Sequence, residues 1–267
     1  MKAFVVNVTR CNGCYDCQIA CKDEHCGNDW SPYAKPQPLT GQFWCKLHYV
    51  ERGTIPKVKV AYWAVMCQHC DNAPCIAACP VKAIYKRDDG LVIIDPKKCN
   101  GCKICVDVCP YGTIYFNDTL SLAQKCTGCA HLIDRGWTDT RCADACPTNA
   151  IKFGDDSELS SEIAAGEALE PNFGDTPSVR VHYIGLPKKF IAGTVYDPST
   201  KEVFINATCT LSGDGSGTTT TDAFGDFWFE DLSVGTFSVK IEADGKTKTI
   251  DGISTVEDQN LGDIALS

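Results

Sequence analysis

The sequence predicts an α+β chain in two parts, a duplicated cysteine-rich domain over residues 1–187 and a small antiparallel β-sandwich or barrel over residues 188–267. Three observations predict it. Sixteen of the nineteen cysteines fall into four blocks of nearly equal spacing, all before residue 147. A P-x-x-[AT]-I pattern follows three of those blocks. Beyond Phe190 only Cys209 remains, and apolar residues alternate with polar ones between turn signals.

The blocks are Cys11-x₂-Cys14-x₂-Cys17-x₃-Cys21, Cys67-x₂-Cys70-x₄-Cys75-x₃-Cys79, Cys99-x₂-Cys102-x₂-Cys105-x₃-Cys109 and Cys126-x₂-Cys129-x₁₂-Cys142-x₃-Cys146. Pro80, Pro110 and Pro147 follow the last cysteine of the second, third and fourth. Each block holds four thiols, the number a [4Fe–4S] cluster takes, and the x₂-x₂-x₃-C-P run is the bacterial ferredoxin spacing. Three closely spaced cysteines wrap one cluster. In two-cluster ferredoxins the fourth, three residues on, ligates the other. The proline after it fixes φ for a turn or a first helical position. The blocks predict an electron carrier with four [4Fe–4S] clusters, or three if one site stays empty.

Two rival readings of the thiols are weaker. Structural zinc uses pairs of C-x₂-C and needs no third cysteine two residues later. Disulfides fit poorly with an odd cysteine count, and the opening MKAFVVNVTR has neither an apolar core nor a cleavage site of a secretory signal. A reduced interior suits these residues better. No ligand position is replaced by Asp, His or Trp, which argues against Rieske-type or deliberately incomplete sites.

After the second, third and fourth blocks come Pro80-Val-Lys-Ala-Ile84, Pro110-Tyr-Gly-Thr-Ile114 and Pro147-Thr-Asn-Ala-Ile151, each leading into a short strand-like stretch. Leu91–Ile94, closed by Asp95-Pro96, reads as a buried strand ending in a turn. Together these give a repeating plan of cysteine loop, short helix and hairpin strand. Residues 22–66 form a long insertion with Trp30, Trp44 and Trp63, expected as a partner interface or as core. Asp155-Asp156 is expected to cap a helix running to about Leu169, and residues 155–187, with Pro171, Pro177 and Pro187, to form a wrapping linker. In the second part Val203, Ile205, Ala207, Cys209 and Leu211 alternate, as do Phe227 and Phe229, and Phe237, Val239, Ile241 and Ala243. Cys209 is in phase with the apolar face and reads as core.

At 267 residues the chain holds one large or two ordinary domains. No run of about 18 apolar residues suggests a membrane helix. Arg10 alone makes no twin-arginine signal, so a cytoplasmic location is expected unless a partner carries an export signal. The net charge of −9 is uneven: residues 188–267 carry six Lys and thirteen acids, a net of −7, leaving −2 for the rest. An acidic chain lacks the basic stripe that nucleic acid requires. Lys22, Lys98, Lys103 and Lys125 lie beside candidate ligands, where each could stabilise a reduced, more negative cluster, but they are expected mainly as solvated surface lysines. His69, inside the second block, is expected at the surface or in a hydrogen bond and not as a ligand.

CNGCYDCQIACKDEH, CQHCDNAPCIAACPVKAI, KKCNGCKICVDVCPYGTI and KCTGC…RCADACPTNAI, with the tail PNFGDTPSVRVHYI, make residues 1–187 resemble the iron–sulfur subunits of the dimethyl-sulfoxide-reductase family of molybdenum enzymes. Residues 190–267 resemble a carboxypeptidase-regulatory or collagen-adhesin B-type β-module. The first resemblance implies a swapped ligation scheme. One cluster takes Cys11, Cys14, Cys17 and Cys146, and the next Cys126, Cys129, Cys142 and Cys21. The third takes Cys67, Cys70, Cys75 and Cys109, and the fourth Cys99, Cys102, Cys105 and Cys79. Lys22 stands where the ferredoxin pattern has proline. The family also implies a heterodimer with a large catalytic subunit that carries molybdenum on two molybdopterin guanine dinucleotides and docks near the first block. No catalytic residue is expected in this chain. Two other readings stay open here: a partner of an arsenate, polysulfide or sulfoxide reductase, and a stand-alone polyferredoxin with a binding module.

Overall fold

The computed structural model describes residues 1–267. The chain divides into two units, residues 1–49 with 61–186, and residues 50–60 with 187–267. The composition boundary assigns all of 22–66 to the cysteine domain. In the structure the tip of that insertion, 50–60, groups with the C-terminal strands.

In the first unit, β1 (Lys2–Asn7) has four consecutive buried residues, Ala3 to Val6, as a strand covered on both faces does. Helix α1 (Asp16–His25) follows the first cysteine loop and carries Cys17 and Cys21 four residues apart, both buried on one face. The hairpin β2 (Cys45–Thr54) and β3 (Lys57–Met66) comes next. Then the repeat begins. Helix α2 (Pro74–Ala78), with Pro74 in its first turn, precedes the hairpin β4 (Ile84–Lys86) and β5 (Val92–Ile94). Helix α3 (Ile104–Asp107) precedes the hairpin β6 (Tyr115–Asn117) and β7 (Leu122–Gln124). The short helices α4 (Ala130–Ile133) and α5 (Arg141–Asp144) frame the wide x₁₂ gap of the fourth block.

The unit closes on β1. It pairs antiparallel with β8 (Ile151–Asp155), Phe4 opposite Phe153, and parallel with β9 (Val181–Ile184), Phe4 opposite Val181. Helix α6 (Ser160–Ala165) lies between β8 and β9. This corrects the expected linker in two places. Residues 181–184 are a strand of the central sheet, not a covering segment. The helix starts later than Asp155-Asp156 and ends before Leu169, because those carboxylates are engaged elsewhere: Asp155 pairs with Lys2 and Asp156 with the N-terminal amine.

In the second unit, β10 (Lys189–Tyr196), β11 (Thr208–Gly213), β12 (Gly217–Thr220), β13 (Asp226–Leu232), β14 (Thr236–Ala243), β15 (Lys246–Ser254) and β16 (Gln259–Ala265) form two sheets, ordered β13-β10-β16 and β12-β11-β14-β15. Both sheets feed one core, with Ile191, Val195 and Phe227 from the first and Cys209, Leu211, Val239 and Ile241 from the second. Cys209 is fully buried there. The expected strand from Val203 starts only at Thr208, and Val203 and Ile205 are exposed. Asn206 adopts φ +60°, a left-handed turn that no strand continues through.

The hairpin tip is tied into this unit by charge. Lys57 is buried and pairs with Asp226, while Arg52 pairs with Asp258 at 3.2 Å. Removing one partner of a desolvated pair strands the other. Lys57→Ala is therefore expected to destabilise the second unit by about 2 kcal/mol, less than for a fully dry pair because Asp226 keeps some water contact. Urea unfolding followed by Trp228 fluorescence checks this.

Candidate iron–sulfur sites

The cysteine loops are shaped by left-handed residues at repeating positions. Just before the second cysteine of each block stand Gly13 (φ +76°), His69 (+45°), Gly101 (+73°) and Gly128 (+60°). Glycine takes this conformation without penalty. At Gly101 a side chain would also meet the Ser121 carbonyl oxygen at 2.5 Å. Two residues past each cysteine-proline step the same conformation returns, at Lys82 (+49°), Gly112 (+60°) and Asn149 (+50°).

These turns aim donors at sulfur. Near the start of a block, the N–H of His69 donates to Cys67 Sγ at 3.5 Å and that of Gly128 to Cys126 Sγ at 3.4 Å. At the end of a block, the N–H of Ala83 donates to Cys79 Sγ at 3.3 Å and that of Ala150 to Cys146 Sγ at 3.2 Å. In the third block Thr113 Oγ1 lies 3.6 Å from Cys109 Sγ. The P-x-x-[AT]-I repeat thus places a hydrogen-bonding group on the last thiol of each of these blocks.

The loops bring the sixteen cysteines into four sets of four. Cys11, Cys14, Cys17 and Cys146 line one cavity. Cys67, Cys70, Cys75 and Cys109 line a second. Cys79, Cys99, Cys102 and Cys105 line a third. Cys21 is fully buried beside Cys126, Cys129 and Cys142; burial first, then those three neighbours, pushes its thiol well up. All sixteen are free thiols. In every set three members come from one block and the fourth from another. Cys17 and Cys21, one helical turn apart on α1, serve different sets.

Burial pushes the thiols of Cys70, Cys75 and Cys126 up to about 12 and that of Cys105 up to about 11, favouring their protonated form. A metal that takes such sulfurs displaces their protons. No three His, Cys, Asp or Glu side chains converge closely enough for a single ion. The thiols stand back around hollows, which suits a multi-iron cluster better than one zinc with Zn–S bonds of about 2.3 Å. An all-sulfur donor set with N–H groups aimed at the sulfurs fits [4Fe–4S] clusters.

Sequence reasoning missed Cys45. It lies outside every block, yet its buried thiol lies beside both Cys17 of one set and Cys142 of another. It keeps its proton and holds Cys17 and Cys142 below the ordinary thiol range. No spacing signal marks it, because only the fold of β2 brings it there. The tryptophans resolve toward core: Trp44 is buried against His25, and Trp30 and Trp63 pack around the same core.

The flanking lysines differ from one another. Lys98 and Lys103 are exposed, as expected. Lys22 is half-buried at the surface and donates to the carbonyls of Pro38 at 3.0 Å and Gly41 at 2.7 Å. Lys125 is buried. His69 is fully buried and its Nδ1 accepts from the Val92 N–H at 2.9 Å, so the hydrogen-bonding role holds and the surface position does not.

Known proteins resemble both parts of the chain. A family described as a 4Fe-4S dicluster domain matches residues 58–156, and one described as a carboxypeptidase regulatory-like domain matches residues 191–267. The chain is 35% identical to the pyrogallol hydroxytransferase small subunit of Pelobacter acidigallici, over 98% of each chain. It is 32% identical to a tetrathionate reductase subunit of Salmonella typhimurium, covering 71% of this chain and 74% of that one. It is 31% identical to a component of the anaerobic dimethyl sulfoxide reductase of Escherichia coli, covering 63% of this chain and 80% of that one. No helix is long and apolar enough to cross a membrane. Four all-thiol sets on a repeated cysteine-loop plan, and relatives matched across most of their length, lead to one assignment: the chain belongs to the iron–sulfur electron-transfer subunits of the dimethyl-sulfoxide-reductase family of molybdenum enzymes.

Proposed function

We propose that this chain is the non-catalytic electron-transfer subunit of a cytoplasmic molybdenum transhydroxylase that converts pyrogallol to phloroglucinol. The observation that carries this is the match to the Pelobacter small subunit over 98% of both chains, which takes in both units. The reductase subunits above cover only 71% and 63% of this chain. The active site and its molybdenum, held by two molybdopterin guanine dinucleotides, belong in this reading to a large partner subunit forming a heterodimer with it.

The four cysteine sets are read as the ligands of four [4Fe–4S] clusters, in the swapped scheme. The first unit is read as a duplicated ferredoxin-like fold and the second as a β-sandwich. Bound clusters supply one-electron transfer. The chain's own residues fix the sulfurs, donate N–H bonds to them and exclude water from the inner sets. Cys14 and Cys102 are exposed, so the outer sets reach the surface at two places. Beside Cys14, Tyr15 and Ile19 are exposed apolar side chains suited to a docking face for the large subunit. Transhydroxylation moves a hydroxyl between two aromatic rings without net external electrons, so the wire serves to set or restore the metal's oxidation state.

Anaerobic isolation tests this. The expected preparation holds a large molybdenum-containing subunit, about sixteen irons per copy of this chain, and pyrogallol-to-phloroglucinol activity. Eight irons or fewer would refute the four-cluster reading. Activity confined to sulfoxide, arsenate or tetrathionate reduction would refute the transhydroxylase reading. The absence of any large subunit would favour a stand-alone polyferredoxin.

A further inference from the structure

Lys125 is a buried cation without a carboxylate. It is 2% exposed. Its Nζ donates to two backbone carbonyls, that of Val92 and, at 2.9 Å, that of Cys126. Carbonyl dipoles alone are weak compensation for an ammonium taken out of water, and lysine is seldom left buried without an anionic partner. Both carbonyls mark what surrounds it. Val92 lines the cavity of Cys67, Cys70, Cys75 and Cys109. Cys126 belongs to the buried set with Cys21, Cys129 and Cys142. The ammonium therefore stands in the wall between the two inner sets.

We propose that Lys125 is the shared counter-cation of the two inner iron–sulfur sites, raising the reduction potential of both. The inference rests on the ligation reading above. A cluster with four thiolates carries net negative charge that grows on each one-electron reduction. A fixed positive charge nearby favours the reduced form, and the low dielectric of the interior leaves that attraction unscreened. The outer sets gain less. Cys14 and Cys102 lie at the surface, and Lys98 and Lys103 are too exposed to substitute for a buried charge. Lys125 thus acts through charge as a positioning residue and not as a ligand.

The test is an anaerobic redox titration followed by electron paramagnetic resonance on the chain isolated with its accompanying subunit. Wild type, Lys125→Gln and Lys125→Arg are compared. In Lys125→Gln two midpoint potentials are expected to fall by at least a tenfold change in the one-electron equilibrium, about 59 mV, while two move less than threefold. One of the shifted signals is the signal lost in Cys75→Ser. Lys125→Arg keeps all four near wild type. No shift, an equal shift of all four, or a shift as large in Lys125→Arg would overturn the proposal. If Lys125→Gln is recovered without iron while Lys125→Arg is loaded, the need for charge is supported. Loss of iron in both overturns it. A wild type without four clusters would instead defeat the ligation reading.

Discussion

Cys75→Ser and Cys109→Ser are each expected to abolish the same one of four cluster signals, although thirty-four residues separate them. Both thiols line one cavity with Cys67 and Cys70. Cys79, only four residues beyond Cys75, lines a different cavity with Cys99, Cys102 and Cys105. The fold produces this swap. Helix α2 ends at Ala78, and the extended backbone at Cys79 turns the next thiol away from the loop that holds Cys75. Serine is close to cysteine in size but a poor iron ligand, so the packing survives and the metal does not. Each variant is expected to lose about four of sixteen irons. The decisive pair is Cys75→Ser with Cys79→Ser, which must remove different signals. If Cys75 and Cys79 removed the same signal, or if Cys109 fell with Cys99, Cys102 and Cys105, the swapped scheme would be wrong.

The sequence made the cysteine domain unusually legible because its chemistry is local. A thiol every three residues, with glycine before the second of a pair, states both the ligand and the turn that presents it. The P-x-x-[AT]-I repeat adds the left-handed residue that delivers a donor to the last sulfur. What stayed hidden depends on contacts made at a distance. Cys45 becomes important only when β2 brings it beside Cys17 and Cys142. Lys125 looks like any lysine beside a ligand until the hairpin of β4 and β5 covers it. Val181–Ile184 resembles a tail because its partner strand, β1, is nearly the whole unit away. His69 broke the glycine pattern of the loops, and that irregularity was a usable signal: a bulky residue in the left-handed region needs a compensating contact, here the bond from Val92.

The hairpin tip decides what happens when the C-terminal unit is removed. A cut at residue 187 follows the composition boundary but leaves residues 50–60 behind, and these belong to the other unit. Lys57 would lose Asp226, Arg52 would lose Asp258, and the Thr54 carbonyl would lose the Asn260 amide that now lies 3.1 Å away. Phe190, beneath the Arg52 guanidinium, would go too. The remaining hairpin would keep the two free edges of its two-stranded sheet, a feature that invites association between chains, with Lys57 and Arg52 now unpaired beside them. The chain ending at 186 is therefore expected to be recovered largely as aggregate. A second version, ending at 186 with 50–60 replaced by a two-residue turn, is expected to stay monomeric with about sixteen irons, since neither deleted segment holds a candidate ligand. Size-exclusion chromatography with iron and sulfide analysis separates the cases. Full iron and a monomeric state in both versions would show that the tip needs no partner. Loss of iron in the second would make the C-terminal unit part of the cluster-binding fold. With the clusters kept, weaker binding of the large subunit by the second version would assign the module to docking.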